Sequence, residues 1–504
     1  RNAATTLAIM GSISITMFLG ISWLAAHTHV RYEEGDARSV VAQIAHAVFG
    51  GGPMFYLVQI MTAAILFLAA NTAFAGFPQL SSVLARDRFL PRQLMNRGDR
   101  LVYSNGIIIL SMLAALLIVV FNADLNRLIQ LYLVGVFTSF TLSQAGMVVH
   151  WRRFRERGWQ RSLFINAIGA VTTAVVLVVV VVTKFLDGAW IVVSAIPVVI
   201  YMMHSVHRHY RQVAEQLGAP ERVPVDRRAG QQHMVILVTT VDAAVARAVG
   251  YVRAVRPAEV VAIATEPASG PAWGRLAPDI PLEILPQSRS RTTAVRNFLK
   301  ARRDNLEPDT FLTLVVPEVL KRKGLLEILL HPRLHRLKAA FLSLRNVQVL
   351  DVPVLREAID PRVDLAHEPA RNIAVVLVSG VHNAALQAIE YAETLRPTSL
   401  RAVSIGLDPN ATEKLGNRWL QAGVPHPLEI EDSPFRDIGA SLSEYVRQFE
   451  ADGVERVVTV VIPEFLVRKR RHRILHGQTA LIVKRHLLFE RGVVVASVPY
   501  HLDE

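Results

Sequence analysis

The stretch from Leu66 to Pro91, LFLAANTAFAGFPQLSSVLARDRFLP, begins as an apolar helix and ends in a charged segment. Its first part is apolar enough to lie within a bilayer, but Asn71 and Thr72 interrupt it. A polar side chain inside a membrane needs a partner in the protein or in a water-filled cavity. The stretch therefore predicts a membrane helix that leaves the bilayer near Pro78, with Asn71 and Thr72 serving either helix packing or a substrate pathway.

The composition divides the chain into two unlike parts. Its 504 residues are 51% hydrophobic, yet they include 55 Lys and Arg against 42 Asp and Glu, and no cysteine, so no disulfide forms. A helix needs roughly 20 apolar residues to cross a bilayer. Residues 1–206 contain six stretches near this length: Thr5–Ala26, Tyr56–Gly76, Gly106–Phe121, Leu128–Val149, Ile165–Phe185 and Ala189–His204. We expect an α-helical membrane domain of six transmembrane helices.

The charges of the loops predict the orientation of these spans. Arginines follow the second and fourth spans: Arg86, Arg88, Arg92, Arg97, Arg100, Arg152, Arg153, Arg155, Arg157 and Arg161. The loop after the first span is acidic instead, with Glu33, Glu34 and Asp36. Basic loops stay on the cytoplasmic side of a membrane. We therefore expect a multi-pass protein of the plasma membrane with both ends of this chain in the cytoplasm.

The second part of the chain predicts an α/β fold that occurs twice. Short β-branched runs alternate with helical stretches, which is typical of a doubly wound parallel sheet. VILVTTV and LVVPEVL return about 140 residues later as VVLVSGV and VVIPEFL. We expect two flavodoxin-like domains after a basic linker: 207–230 as the linker, 231–357 as the first repeat and 371–504 as the second.

The two repeats resemble universal stress protein domains in size, strand order and tandem pairing. The glycine-rich nucleotide loop of that family is absent here, so ATP binding does not carry over. At the same place each repeat has a basic run instead. These runs contain Lys321, Arg322 and Lys323 in the first repeat, and Arg468, Lys469, Arg470 and Arg471 in the second.

The basic runs have two interpretations. Ligands of open α/β sheets collect beyond the carboxyl ends of the strands, where basic residues suit a phosphate. Alternatively, the runs form a solvated basic face beside anionic lipid. Ser433 and Arg436 are a second candidate for anion binding, with plain N-capping by Ser433 as the alternative.

Several membrane motifs resemble one transporter superfamily. ANTAFAGFPQLSSVLARDRFLPRQL, followed by YSNGIII, is similar to the eighth-to-ninth helix region of the amino acid-polyamine-organocation (APC) superfamily, and LYLVGVFTSFTLSQAGMVVHW is similar to its tenth helix. The six spans thus look like helices seven to twelve, half of a LeuT-like inverted-repeat transporter. The chain opens at Arg1 without a Met, and we expect it to be a fragment whose preceding part contains further helices.

Within that superfamily, the tandem cytoplasmic domains look most like those of the KimA-type potassium importers. The resemblance implies proton-coupled potassium uptake, control by cyclic di-AMP and a homodimer formed through the cytoplasmic domains. It also implies which residues face the ion pathway: Asn71, Thr72, Tyr132, Thr138, Ser139, Thr141 and Ser143. Hydroxyl and carbonyl oxygens suit a hard monovalent cation. Tyr132, near a helix end, is equally typical of an interface anchor.

Two other functions remain open at this stage. An amino acid permease shares helices seven to twelve, and the helices that distinguish the two substrates lie outside this chain. A membrane-anchored nucleotide-sensing protein would use the spans only as anchors. An enzyme is not expected, because the sequence has no G-x-S-x-G, no Walker loop and no clustered metal ligands. We expect no cofactor, no resident metal and no nucleic-acid partner.

Overall fold

The structure, a computed structural model, describes residues 2–30, 39–95, 102–218, 230–286, 288, 290–307, 309–320, 338, 340–359, 363–407, 409–433, 437–467 and 478–502. The chain divides into two compact units. The first contains Arg1–Val83 and Asn105–Asp124, and the second contains Leu84–Ser104 and Leu125–Glu504. Each unit is described by itself.

The first unit is helical: α1 (Asn2–His27), α2 (Val40–Phe49), most of α3 (Pro53–Arg86) and α4 (Ser104–Val120). Pro78 lies inside α3 without ending it. Gly106 of α4 lies directly against this proline, because a Cβ at Gly106 would come within 3.0 Å of Pro78 Cα and Cβ. The close approach of α3 and α4 therefore requires glycine at position 106.

The second unit begins with three membrane-type helices, α5 (Leu125–Arg153), α6 (Trp159–Thr183) and α7 (Trp190–Leu217). Thr141 Oγ1 on α5 lies 3.0 Å from Thr173 Oγ1 on α6. Gly188 has a φ of 119°, a conformation that side chains oppose, and it allows the tight turn between α6 and α7.

Five helices of the described chain are long and apolar enough to cross a bilayer: α1, α3, α5, α6 and α7. Several membrane-type helices are thus confirmed, and the sixth expected span stays a prediction. The expected span Gly106–Phe121 corresponds to α4, which has only 17 residues. At 1.5 Å per residue such a helix is about 26 Å long, slightly shorter than the roughly 30 Å hydrocarbon core.

The rest of the second unit is built on one ten-stranded sheet in the order β3-β2-β1-β4-β5-β10-β9-β6-β7-β8. The strands are β1 (Gln231–Val238), β2 (Glu259–Ala264), β3 (Leu282–Ile284), β4 (Thr310–Leu320), β5 (Val347–Leu355), β6 (Arg371–Leu377), β7 (Ser399–Gly406), β8 (Leu428–Asp432), β9 (Arg456–Val467) and β10 (Val493–Leu502). All neighbours pair in parallel except β5 and β10.

Each repeat contributes five parallel strands in the order 3-2-1-4-5. A flavodoxin sheet has the order 2-1-3-4-5. The expected flavodoxin-like order is therefore corrected, because strand β1 lies beside β4 and not at the second position from the edge.

Helices cover both faces of the sheet. One face holds α8 (Ala243–Val255), α9 (Gly270–Leu276), α11 (Asn383–Thr394) and α12 (Pro409–Ala422), and these share a single apolar core that includes both repeats. The other face holds α10 (Arg291–Asp304), α13 (Ile438–Arg447) and α14 (Gln478–Leu487), in two separate cores. The repeats also meet on the other face, where Leu320 of β4 lies in the core of the second repeat.

A buried polar network crosses the shared core between the repeats. Tyr251 of α8 lies 2.8 Å from Thr459 Oγ1 of β9, and Thr313 of β4 donates to the Tyr391 hydroxyl of α11 at 3.2 Å. Each tyrosine thus bonds to the other repeat. Burial raises the pKa of both tyrosines, which keeps both hydroxyls protonated.

We predict unequal losses from removing the two hydroxyls. In Tyr391→Phe, Thr313 loses the acceptor for its hydroxyl hydrogen, at a cost of about 1–3 kcal/mol. In Tyr251→Phe, Thr459 still donates to Asn372 Oδ1 at 2.9 Å, so the cost should be about 0.5–1.5 kcal/mol. Urea unfolding of the purified chain in detergent measures both values. A larger loss in Tyr251→Phe would contradict the assignment of donors.

Candidate functional site

The polar residues predicted on α3 lie at exposed positions. Asn71 and Thr72 are both exposed, and Thr72 Oγ1 donates to the carbonyl oxygen of Leu68 at 3.0 Å. This bond uses the hydroxyl hydrogen but leaves oxygen lone pairs free to face outwards. Thr72 can therefore offer an oxygen to a cation or to a hydrogen-bond donor without an unpaired group in the membrane.

The hydroxyl residues of α5 fall on different faces of the helix. Tyr132, Ser139 and Ser143 are exposed, and their spacing of seven and four residues aligns them along one stripe. Tyr132 is 67% exposed. We call these three residues the α5 stripe.

Thr138 and Thr141 lie away from the α5 stripe and are half-buried. Thr138 donates to Val134 O at 2.7 Å, and Thr141 donates to Phe137 O at 2.7 Å while also contacting Thr173. Thr141 therefore has a helix-packing contact, whereas the three residues of the stripe present their side chains outwards.

Most residues of the predicted anion site lie outside the described residues: Lys321, Arg322, Lys323, Arg436, Arg468, Lys469, Arg470 and Arg471. The structure describes the strands that lead to them, β4 ending at Leu320 and β9 ending at Val467.

Ser433 is buried and does not cap a helix. Its Oγ accepts a hydrogen bond from Ser441 Oγ at 3.0 Å. Helix α13 starts at Ile438, and the residue before it, Asp437, accepts from Ala440 N at 3.0 Å. The capping alternative for Ser433 is thus wrong, because an N-cap must directly precede its helix.

Two ion pairs at the ends of the central strands were missed from the sequence. Lys338 Nζ lies 2.8 Å from Glu318 Oε2 of β4 and 3.0 Å from Asp351 Oδ1 of β5. In the second repeat, Lys484 Nζ lies 2.5 Å from Glu464 Oε1 of β9. The sequence did contain a signal for these pairs. Each repeat has a Pro-Glu pair at the end of its fourth strand, and a lysine follows 20 residues after the glutamate of each pair.

The two ion pairs differ in one residue. Asp351, 1% exposed, is the second carboxylate on Lys338, whereas β10 has the buried Ser497 at the corresponding position. Burial alone would lower the pKa of Lys338, but the carboxylates of Asp351 and Glu318 raise it above its usual value. Lys338 is therefore a buried cation held between two anions.

The end of helix α7 contacts the segment that follows α3. Tyr210 is buried, with 1% of its surface exposed. Its hydroxyl accepts a hydrogen bond from Arg92 N at 3.3 Å, and the Arg92 guanidinium lies 5.1 Å from the centre of the Tyr210 ring. His207 stacks on Phe89 with 4.4 Å between ring centres. These contacts hold the segment after α3 against the last helix.

The same end of α7 also contacts the strands of the second repeat. Val213 forms a buried cluster with Leu502 of β10, and Phe465 of β9 packs against this cluster. Tyr500 donates to Gln216 O at 3.3 Å. We call this contact the α7 junction. It joins a membrane-type helix directly to strands β9 and β10.

Comparisons with known proteins agree with this two-part architecture. Residues 231–354 and 370–500 match the family described as the KimA potassium transporter C-terminal domain, and residues 1–203 match the family described as amino acid permease. The chain is similar to the "Potassium transporter KimA" of Bacillus subtilis (strain 168), with 34% identity over 510 residues. The match covers all of this chain and 59% of the length of that relative.

Among solved structures, the chain has a likeness to a glycosyltransferase from Rickettsia africae ESF-5. The likeness covers 52% of this chain and 78% of the other, at 10% identity and a TM-score of 0.15, which is too low to support an argument.

We predict that the two lysines contribute unequally to stability. Lys338→Met leaves the buried Asp351 and the partly buried Glu318 without a counter-charge and should cost about 3–5 kcal/mol. Lys484→Met leaves one partly buried carboxylate, that of Glu464, without its ion-pair partner and should cost about 1–3 kcal/mol. Adding Asp351→Asn to Lys338→Met should recover part of the loss. Urea unfolding tests this, and equal losses in the two single variants would contradict it.

Proposed function

The chain belongs to the KimA potassium transporter family, and from this premise we propose that it forms part of a potassium importer of the APC superfamily. The observation that carries the proposal is the order of the two family matches. Residues that match an amino acid permease are followed, in the same chain, by residues that match the KimA potassium transporter C-terminal domain. Because the chain corresponds to 59% of its relative, the activity of the whole protein is a proposal.

The helices of this chain are proposed to form half of the membrane domain. We propose that α1 and α3–α7 are six membrane spans, half of a LeuT-like inverted-repeat transporter, in the plasma membrane with both chain ends cytoplasmic. The arginine-rich ends of α3 and α5 support this orientation.

Potassium binding suits the residues that these helices present. A hard monovalent cation needs several neutral oxygens that replace its hydration shell without holding it too tightly. The α5 stripe and the α3 pair, Asn71 and Thr72, offer hydroxyl, phenol and amide oxygens. Helices α3 and α5 contain no acidic residue, so proton coupling would require a carboxylate from outside these two helices.

The α/β region is proposed to be regulatory. Its half-sheets, of strand order 3-2-1-4-5, support a universal-stress-protein-like assignment, with repeats at 231–357 and 371–504 after the linker 207–230. We propose that the basic runs at the ends of β4 and β9 bind cyclic di-AMP in a homodimer, since Arg pairs match phosphates bidentately.

An amino acid permease remains the nearest rival, because the match over residues 1–203 carries that description. Such a protein would need backbone amides at a broken helix for the substrate carboxylate. A membrane-anchored nucleotide sensor is the second rival. It predicts that residues of the α5 stripe can be changed without any effect on transport.

We predict that the full-length protein restores growth, at limiting potassium, to a bacterium that lacks its own potassium uptake. Thr72→Val and Tyr132→Phe each remove one oxygen and should raise the half-saturating potassium concentration about 3–10-fold, or about 0.7–1.4 kcal/mol. Thr141→Val is the matched control. Because Thr141 contacts Thr173 of the neighbouring helix, this variant should change the half-saturating potassium concentration little.

Normal transport by both variants would show that these residues only pack. Uptake of a labelled amino acid without potassium uptake would favour the permease. In both cases the abundance of each variant in the membrane is measured, so that loss of protein is not mistaken for loss of affinity.

The regulatory proposal predicts that cyclic di-AMP binds the purified chain. Arg470→Ala and Arg471→Ala together should weaken binding by at least tenfold, since each removes a charged donor to phosphate. Calorimetry with ATP as comparator measures this. Binding of neither nucleotide would leave the basic runs with a structural or lipid-contact role.

A further inference from the structure

The two repeats use different residues to cap corresponding helices. Helix α8 follows the first strand of repeat one, and Asp242 caps it by accepting from Ala244 N at 3.0 Å and Val245 N at 3.1 Å. Helix α11 follows the first strand of repeat two, and His382 Nδ1 accepts from Ala385 N at 3.1 Å. The segments VTTVD and VSGVH place the two caps at the same position.

The chemistry of these two caps differs with pH. A carboxylate cap is attracted to the positive end of the helix dipole. An imidazole accepts a hydrogen bond at Nδ1 only when that nitrogen has no proton, because both nitrogens of the charged ring are donors. A protonated His382 would therefore lose the bond to Ala385 N–H and place a positive charge at the wrong end of α11.

The surroundings of His382 favour the neutral ring. The ring is half-buried and meets Phe465 of β9 edge-on, with 5.4 Å between ring centres. Burial lowers the pKa of His382 below its usual value. No ion pair to His382 is found within the described ranges, and its own loop, Val378–Asn383, has no other ionisable residue.

The charged groups on the neighbouring elements are paired elsewhere. On β9, Glu464 alternates to the face opposite Phe465 and pairs with Lys484. Near the end of α7, Glu215 pairs with Arg211 at 3.1 Å. Among the described residues, no carboxylate pairs with His382 to stabilise its charged form.

The cap lies beside the α7 junction. Asn383, the first residue of α11, packs on Gly218 at the end of α7, where its amide nitrogen is 2.8 Å from the point that a Cβ would occupy. Phe465, which contacts His382, also packs against the cluster of Val213 and Leu502. A change in the first turn of α11 therefore reaches the residues that hold α7.

We propose that His382 is a proton-sensitive cap that fixes the α7 junction at neutral pH and releases it in acid. The sign follows from linkage. Since the folded state keeps His382 neutral, its stabilisation is complete above the ordinary histidine pKa of about 6.5 and is lost as the pH falls below that value. The proposal does not depend on which substrate the helices carry.

Hydrogen–deuterium exchange of the full chain in detergent tests the proposal, with each rate divided by the intrinsic rate at the same pH. Between pH 7.5 and pH 5.5, protection in the first turn of α11 should fall about fivefold, whereas α8 should change little. Helix α8 is an internal control, because its cap is a carboxylate and not an imidazole.

Variants complete the test. His382→Asp should make α11 insensitive to pH, and Asp242→His should transfer the sensitivity to α8. His382→Asn, which caps without titrating, serves if the aspartate variant fails to fold. Equal acid losses in α8 and α11 of the unmodified protein, or unchanged acid sensitivity in His382→Asn, would overturn the proposal.

Discussion

The α/β region depends on the antiparallel pairing of β5 with β10, the only antiparallel contact in the described sheet. Two parallel half-sheets, each with an open edge, become one sheet of ten strands through this contact. The pairing brings α8 and α11 together on one face, where Tyr251 and Tyr391 each reach into the opposite repeat. Because a buried hydroxyl is costly without a partner, this exchange fixes the relative position of the repeats.

The sequence predicted the periodic features of the molecule well. It predicted the membrane helices and the alternation of strands and helices, because both are visible as local hydropathy patterns. It placed the fourth of these helices at Gly106–Phe121, within two residues of the observed bounds of α4, Ser104–Val120. It also placed the cap of α13 at Ser433, although the residue adjacent to the helix, Asp437, forms it.

The contacts between these elements could not be predicted from local sequence patterns. Tyr251 and Thr459 are 208 residues apart, and nothing near either residue indicates the other. The α5 stripe could have been separated from Thr141 by helical spacing alone, but the partner of Thr141, Thr173, required the packing of α5 on α6. The pairing of Glu318 with Lys338 could be predicted only by comparing the two repeats, because the same glutamate-to-lysine spacing of 20 residues occurs in both.

The differences between the repeats show how a duplicated fold can divide its roles. The first repeat has an aspartate cap on α8 and a buried lysine held by two carboxylates. The second repeat has a histidine cap, a single carboxylate on Lys484 and the contacts to α7. A stable half and a more responsive half are thus joined through β5 and β10. Since α7 contacts strands of the responsive half, a small change there can act on a membrane helix while the first repeat holds the sheet in place.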